Sequence, residues 1–167
     1  MTVMQIRTLG DPVLRETATP VVAFDDTLRR LADDMLETMY AAPGVGLAAN
    51  QVGVRMSCCV YDDREDHSGF VANPELSDLE DEDTFEEGCL SIPGPYHPTV
   101  RALRVRLRGS DLDGRALDIR AEGLLARIFQ HETDHLRGML YIDRLDDEGR
   151  RDVMRQLREF EVQRSEP

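Results

Sequence analysis

The five residues His131-Glu132-Thr133-Asp134-His135 are the part of this sequence best equipped for chemistry. Two imidazoles at i and i+4 stand one turn apart on the same side of a helix, so a ring nitrogen from each can reach one metal ion. Glu132 lies beside them and can take a proton from water bound to that ion. Alone the pattern is not decisive, because two surface histidines on a charged helix read the same way. Leu124, Leu125, Ile128 and Phe129 make this helix strongly apolar, however, which draws the pair toward the core. A catalytic ion of the zinc type needs a third protein ligand and one open position. Downstream, the candidates are the carboxylates Asp143, Asp146, Asp147 and Glu148, none in a recognisable setting. Upstream, Cys89 sits in Glu87-Gly88-Cys89-Leu90-Ser91, flanked by Gly and Pro, where a loop can carry a thiolate inward. Cys58 and Cys59 read instead as buried strand residues, since a free Cys behaves as a small hydrophobe. A site of one Cys and two His is the best physical reading.

Other elements must position these groups. The histidine helix is expected from about 121 to 136, stopped by Gly138. An earlier helix begins after an Asp25 cap, carries Leu28, Leu31, Ala32, Met35, Leu36 and Met39 on one face, and ends at Pro43-Gly44. Residues 1–24 are expected to be irregular. Met56–Tyr61 and Phe70–Pro74 read as short strands, the second ending at its proline. Asp78–Glu87 is densely acidic and is expected to be a solvated hairpin or loop. Val100–Gly109 alternates as a half-buried antiparallel strand does; Asp111–Gly114 is a turn, and Arg115–Arg120 the return strand. A last helix is expected over about 147–162, with a disordered tail at 163–167. Short strands between an early and two late helices indicate one α+β domain spanning 1–167.

Composition narrows the function classes. The 167 residues hold 41 % hydrophobic and 32 % charged side chains, enough apolar material for one core. Twenty basic residues face 33 acidic ones, a net charge of -13, which disfavours binding of DNA or other nucleic acid. Every basic residue is Arg, so Schiff-base and P-loop chemistry, which need a lysine amine, are excluded. No run approaches the roughly 18 apolar residues of a membrane span, so no membrane partner is expected. Three cysteines, two of them adjacent, do not make a disulfide scaffold, and no secretory signal is visible at the N-terminus. The expected location is cytoplasmic.

Three segments, Gly44–Gln51 (GVGLAANQ), Glu87–Ser91 (EGCLS) and Gln130–Gly138 (QHETDHLRG), resemble the three motifs of peptide deformylase, in the family's order and at its spacing. Gly10–Arg15 resembles that family's N-terminal segment, and the likeness runs from about residue 5 to 145. The resemblance implies antiparallel β-sheets packed around a central metal-binding helix, with an N-terminal and a C-terminal helix. It implies Cys89, His131 and His135 as metal ligands, and Glu132 as general base and acid. Gln51 would donate its side-chain amide, and Leu90 its backbone N–H, to the developing oxyanion, where one such donor is worth ~3 kcal/mol. The metal would be Fe(II), with Zn(II) next and Ni or Co as substitutes. The substrate would be the N-formyl-methionyl end of a nascent polypeptide, and formate the product.

Gly44-Val45-Gly46 would let an extended peptide pair as an added strand. Val45, Phe85, Leu124 and Ile128 could line an apolar pocket for the Met side chain. Glu87 would form with Arg101 the pair that holds the Cys89 segment. Arg127, one turn before His131, is expected to pack its stem and send its head to solvent or an acid. His67 and His97 read as loop bystanders. The family also implies docking at the ribosome, but residues 143–167 carry slightly more acids than Arg, which weakens docking through a basic C-terminal helix. Two other readings stand beside this one: a metallopeptidase using the same His131, Glu132 and His135, and a structural metal site, which would need a fourth protein ligand.

Overall fold

The first long helix starts where its cap does. The Asp25 carboxylate accepts a hydrogen bond from the Leu28 N–H at 3.0 Å, and α1 runs Asp26–Ala41 with Leu28, Ala32, Met35 and Met39 buried. The computed structural model describes residues 2–165. After α1 come β1 (Gly46–Ala48), β2 (Cys58–Asp62), β3 (Ser68–Cys89), β4 (Ile92–Ser110), β5 (Ala116–Glu122), α2 (Gly123–Leu136) and α3 (Asp147–Ser165). Short 3-10 turns occupy Pro12–Arg15, Ala49–Val52 and Tyr141–Arg144. The five strands form one antiparallel sheet in the order β1-β2-β3-β4-β5.

Helix α2 packs against all five strands, and every residue from Leu125 to Leu136 is buried. Its Leu125, Ala126, Ile128 and Phe129 share a core with Cys59, Tyr61, Val71 and Leu107 of the sheet, with Tyr61 edge-on to Phe129 at 4.9 Å between ring centres. The histidines are therefore carried into the interior by the element with the most apolar surface to bury. A second core lies between α1 and the β1–β2 edge. A third joins Leu14, Ile92, Tyr141, Val153 and Leu157 beneath α3.

The α+β class and the central helix agree with the sequence, but two of the strands, β3 and β4, are long and the sheets are one. The strand expected to stop at Pro74 continues to Cys89, and the acidic run Asp78–Glu87 is part of it rather than a loop. Two features explain this. Register shifts between Ala72 and Glu75 and between Ser77 and Glu80 place Pro74 in a bulge, where no ladder N–H is required. Beyond it, β4 sets arginines opposite the acids: Glu80 pairs with Arg104 and Asp83 with Arg101, and Arg104 reaches Glu80 at 3.1 Å and Asp81 at 2.5 Å. Exposed pairs of this kind are worth ~0–1 kcal/mol each, so the backbone ladder carries the strand and the charges only permit it.

Smaller differences sit at element ends. Ala121 belongs to β5, so α2 begins at Gly123. Pro12–Arg15 forms a turn, capped by Asp11, in the segment expected to be irregular. Gln163–Ser165 continue α3 in place of the expected disorder, and Glu166 and Pro167 lie outside the described residues.

Candidate active site

The tight reversal Leu90-Ser91 joins β3 to β4, and Cys89 is the last residue before it. This brings the thiol to α2. Cys89 Sγ lies 3.3 Å from His135 Nε2, which lies 3.1 Å from His131 Nε2, and the three ligand atoms all fall within 4.8 Å of one another. In a tetrahedral site with metal–N near 2.05 Å and metal–S near 2.3 Å, the edges would be about 3.3 Å for N–N and about 3.6 Å for N–S. The two contacts to His135 are close to those edges, and the third pair lies within 4.8 Å. Two imidazoles and one thiolate also make a donor set that suits a borderline-soft divalent ion, so the residues present fit a metal.

Glu87, two residues before the thiol on β3, holds this arrangement. Its Oε1 accepts from His131 Nδ1 at 2.5 Å and Arg101 Nη2 at 2.6 Å, and its Oε2 from Arg101 Nε at 3.1 Å and Arg127 Nη1 at 3.0 Å. The bond to Glu87 fixes a proton on His131 Nδ1 and turns Nε2 toward His135 Nε2. Burial opposes ionisation of Glu87, but His131 and Arg101 outweigh it and hold the carboxyl well below the usual carboxylate range. Arg101 also donates to Asp134 Oδ2 at 2.6 Å, where Arg144 adds two further bonds.

His135 is held differently. Burial, then the neighbouring His131, keeps it well below the ordinary imidazole range and hence neutral, as a ligand must be. At its carbonyl, Asn50 Nδ2 donates at 2.6 Å.

Gln51 stands on the other side of the thiol. Its Oε1 accepts from the Ala48 N–H at 2.9 Å, which fixes the amide so that Nε2 points to Ser91 Oγ at 3.1 Å and Cys89 Sγ at 3.8 Å. Glu132 packs against β1, and glycine is required at 46 because a Cβ there would collide with Glu132 Oε1. Burial raises the Glu132 carboxyl to about 7. Its Oε2 has no hydrogen-bond partner among the described residues. A cleft of about 520 Å³ opens over these groups, walled by Gly44, Val45, Leu124, Ile128 and the Pro93–Tyr96 segment. That volume is typical of a small-ligand site.

Residues 3–151 match the polypeptide deformylase family. The chain belongs to that family. Among its relatives, a peptide deformylase of Alkalilimnicola ehrlichii is 49 % identical over 160 residues, covering 94 % of this chain and 90 % of that one. One of Stutzerimonas stutzeri is 44 % identical and covers 99 % and 100 % of the two chains. The crystal structure of a peptide deformylase from Legionella pneumophila superposes with a TM-score of 0.93 at 41 % identity, covering 99 % of this chain and 100 % of that one.

The deformylase cleft gathers most of the residues singled out from sequence: Gly44, Val45, Gly46, Gln51, Glu87, Cys89, Leu90, Leu124, Ile128, His131 and Glu132 all line it, with His135 beneath. Phe85 does not. Its ring is exposed, and the Arg127 guanidinium lies against it, 5.8 Å from the ring centre, between Phe85 and the cleft. Arg127 itself is buried with its head on Glu87 and on the Thr99 carbonyl at 3.0 Å, so of the two expected destinations it takes the acid. His97 is in β4 rather than a loop, and His67 pairs with Asp63 at 2.7 Å, both away from the thiol.

Sequence reasoning missed the Asp134–Arg144 link, the Asn50 bond and the Pro93–Tyr96 wall. A charged residue inside an apolar HETDH helix is a signal that Asp134 needs a buried cation. Nothing in the spacing of Arg144 identified it as a source.

Proposed function

We propose that this chain removes the formyl group from the N-terminal formyl-methionine of peptides, releasing formate and a free amine. Cys89 Sγ, His131 Nε2 and His135 Nε2 would hold one divalent ion, Fe(II) first and Zn(II) next, with Ni or Co as substitutes. Such an ion, when bound, supplies a Lewis acid that makes water nucleophilic near neutral pH. The observation that carries the reading is the cluster of those three atoms beside a buried carboxyl whose Oε2 has no hydrogen-bond partner among the described residues. Glu132, with its pKa raised to about 7, is suited to take a proton from water as the formyl carbon is attacked and to return it to the leaving amine. Gln51, its amide locked by Ala48, and the Leu90 backbone N–H would donate to the oxygen that gains negative charge.

The Gly44–Gly46 edge leaves room for an extended peptide to lie along β1, and Val45, Leu124 and Ile128 would take the Met side chain. Nascent chains would be the cellular substrate, the ribosome the expected partner and the cytoplasm the compartment.

The test is formate release from formyl-Met-Ala, with an unformylated and an internally cleavable peptide as controls. A new internal N-terminus without formate would favour a metallopeptidase. Glu132→Ala should stay folded and keep its metal while losing about 10²–10⁴ in rate; full activity in that variant would overturn the mechanism.

A further inference from the structure

One wall of the cleft is not self-supporting. Pro93–Tyr96 follows the Leu90-Ser91 reversal and lines the site, and the Tyr96 backbone is held by α3. Gln156 Oε1 accepts from the Tyr96 N–H and Gln156 Nε2 donates to the Tyr96 carbonyl, both at 3.1 Å, so one amide closes a two-point clamp on one residue. Asp152 Oδ2 accepts from the same Nε2 at 2.8 Å and fixes the amide's orientation. One turn further along α3, the Phe160 ring fills the space beside Gly94: a Cβ at that residue would lie 2.5 Å from Phe160 Cγ, and its φ of +107° belongs to glycine in any case. The result of this fixing is at Tyr96. Its ring stays exposed and lies across Gly88, where a Cβ would sit 2.6 Å from Tyr96 Cε1, one residue from the thiol ligand.

We infer that α3 belongs to the substrate apparatus: Gln156 and Phe160 are positioning residues that hold the Tyr96 ring as a platform for the peptide residues following the formylated Met. An aromatic ring kept exposed in a cleft wall, while its own backbone is doubly bonded, is rigid contact area offered at low entropic cost. The cleft has room for more than the Met side chain, and the platform lies beyond the metal ligands rather than among them. Substrate reaching past Met gains this contact; formyl-Met alone does not.

The inference rests on the deformylase reading, and the test separates the two. Gln156→Ala, Phe160→Ala and Tyr96→Ala are compared with the unaltered protein, all metal-loaded, on formyl-Met-amide and on formyl-Met-Ala-Ser. The ratio of kcat/KM for the longer over the shorter substrate should fall about three- to tenfold in each variant, through KM. Phe160→Leu, which keeps apolar packing against Gly94, should recover most of the ratio. A ratio equal to that of the unaltered protein in all three alanine variants overturns the inference, as does an equal loss on both substrates. Absence of formate from either substrate with the unaltered protein refutes the deformylase reading and this inference with it.

Discussion

Replacing Glu87 by Gln changes one atom and should damage the protein more than any surface substitution. The carboxylate accepts four hydrogen bonds, two on each oxygen, from His131, Arg101 and Arg127, and all of its lone-pair directions are used. A Gln side chain offers one oxygen, so two of those donors would face an NH₂ group instead. Arg101, only 3 % exposed, would keep Asp134 as its remaining acid, and Arg127 would keep only backbone carbonyls. Breaking a buried pair by neutralising one partner typically costs about 3–5 kcal/mol. In a chain of this length each kcal/mol lowers Tm by about 2–4 °C, which gives a fall of roughly 6–20 °C. His131 would also lose the acceptor that fixes its tautomer, and metal affinity should drop about 10–100-fold. Denaturant melts of the metal-free protein at constant m-value isolate the stability part, and competition with a chelator isolates the metal part. A stability loss below about 1 kcal/mol together with unchanged metal affinity would refute the argument that this carboxylate holds both the arginines and the histidine.

Gly46→Ala pushes a methyl group against Glu132 Oε1 and Cδ; it should cost about 1–3 kcal/mol in a melt, and about 10² in kcat because the base is displaced, with metal content intact. Burial pushes the Cys58 thiol up to about 12 and that of Cys59 higher than normal, so at pH 8 an alkylating reagent should modify Cys89 alone in the folded metal-free protein, read as one added mass by mass spectrometry. Loading with metal should protect Cys89, and unfolding should expose all three. Modification of Cys58 in the folded state would contradict the described core.

What the sequence revealed and what it hid divide by the range of the interactions. The His131–His135 spacing is legible because helix geometry alone brings i and i+4 together, and α1 is legible because its cap and apolar stripe are local. The course of β3 is not. Its apolar alternation fails across Asp78–Glu87, and what makes that stretch a strand is a ladder with β4, whose arginines stand about twenty residues further on. The same holds inside the site. Cys89 is visible from its Gly- and Pro-flanked setting, and the resemblance implies the Glu87–Arg101 pair; the further donors His131 and Arg127, from two turns of α2, join it on the same carboxylate in a convergence that no spacing predicts. Phe85, expected at the pocket, lies outside the cleft, with the Arg127 guanidinium against its ring.

That convergence also explains why one acid of the motif, unlike its neighbours, has a raised pKa. Outward from the His131 ring the charged side chains alternate in sign: Glu87, Arg101, Asp134, and then Arg144, which is partly exposed. Each interior carboxylate in that chain has at least two cationic neighbours, and both Glu87 and Asp134 are held below their ordinary range despite burial. Glu132 shares the burial, but its Oε2 has no hydrogen-bond partner among the described residues, and burial raises its carboxyl to about 7. Carboxyls within one helical turn and one strand of each other are thereby set far apart in acidity: Glu87 is clamped on the His131 ring and Asp134 between two arginines, while Glu132 has the raised pKa that the proposed proton transfer calls for. The glycine at 46 completes the separation: β1 presents no side chain where Glu132 lies, and a Cβ there would sit 2.4 Å from its Oε1.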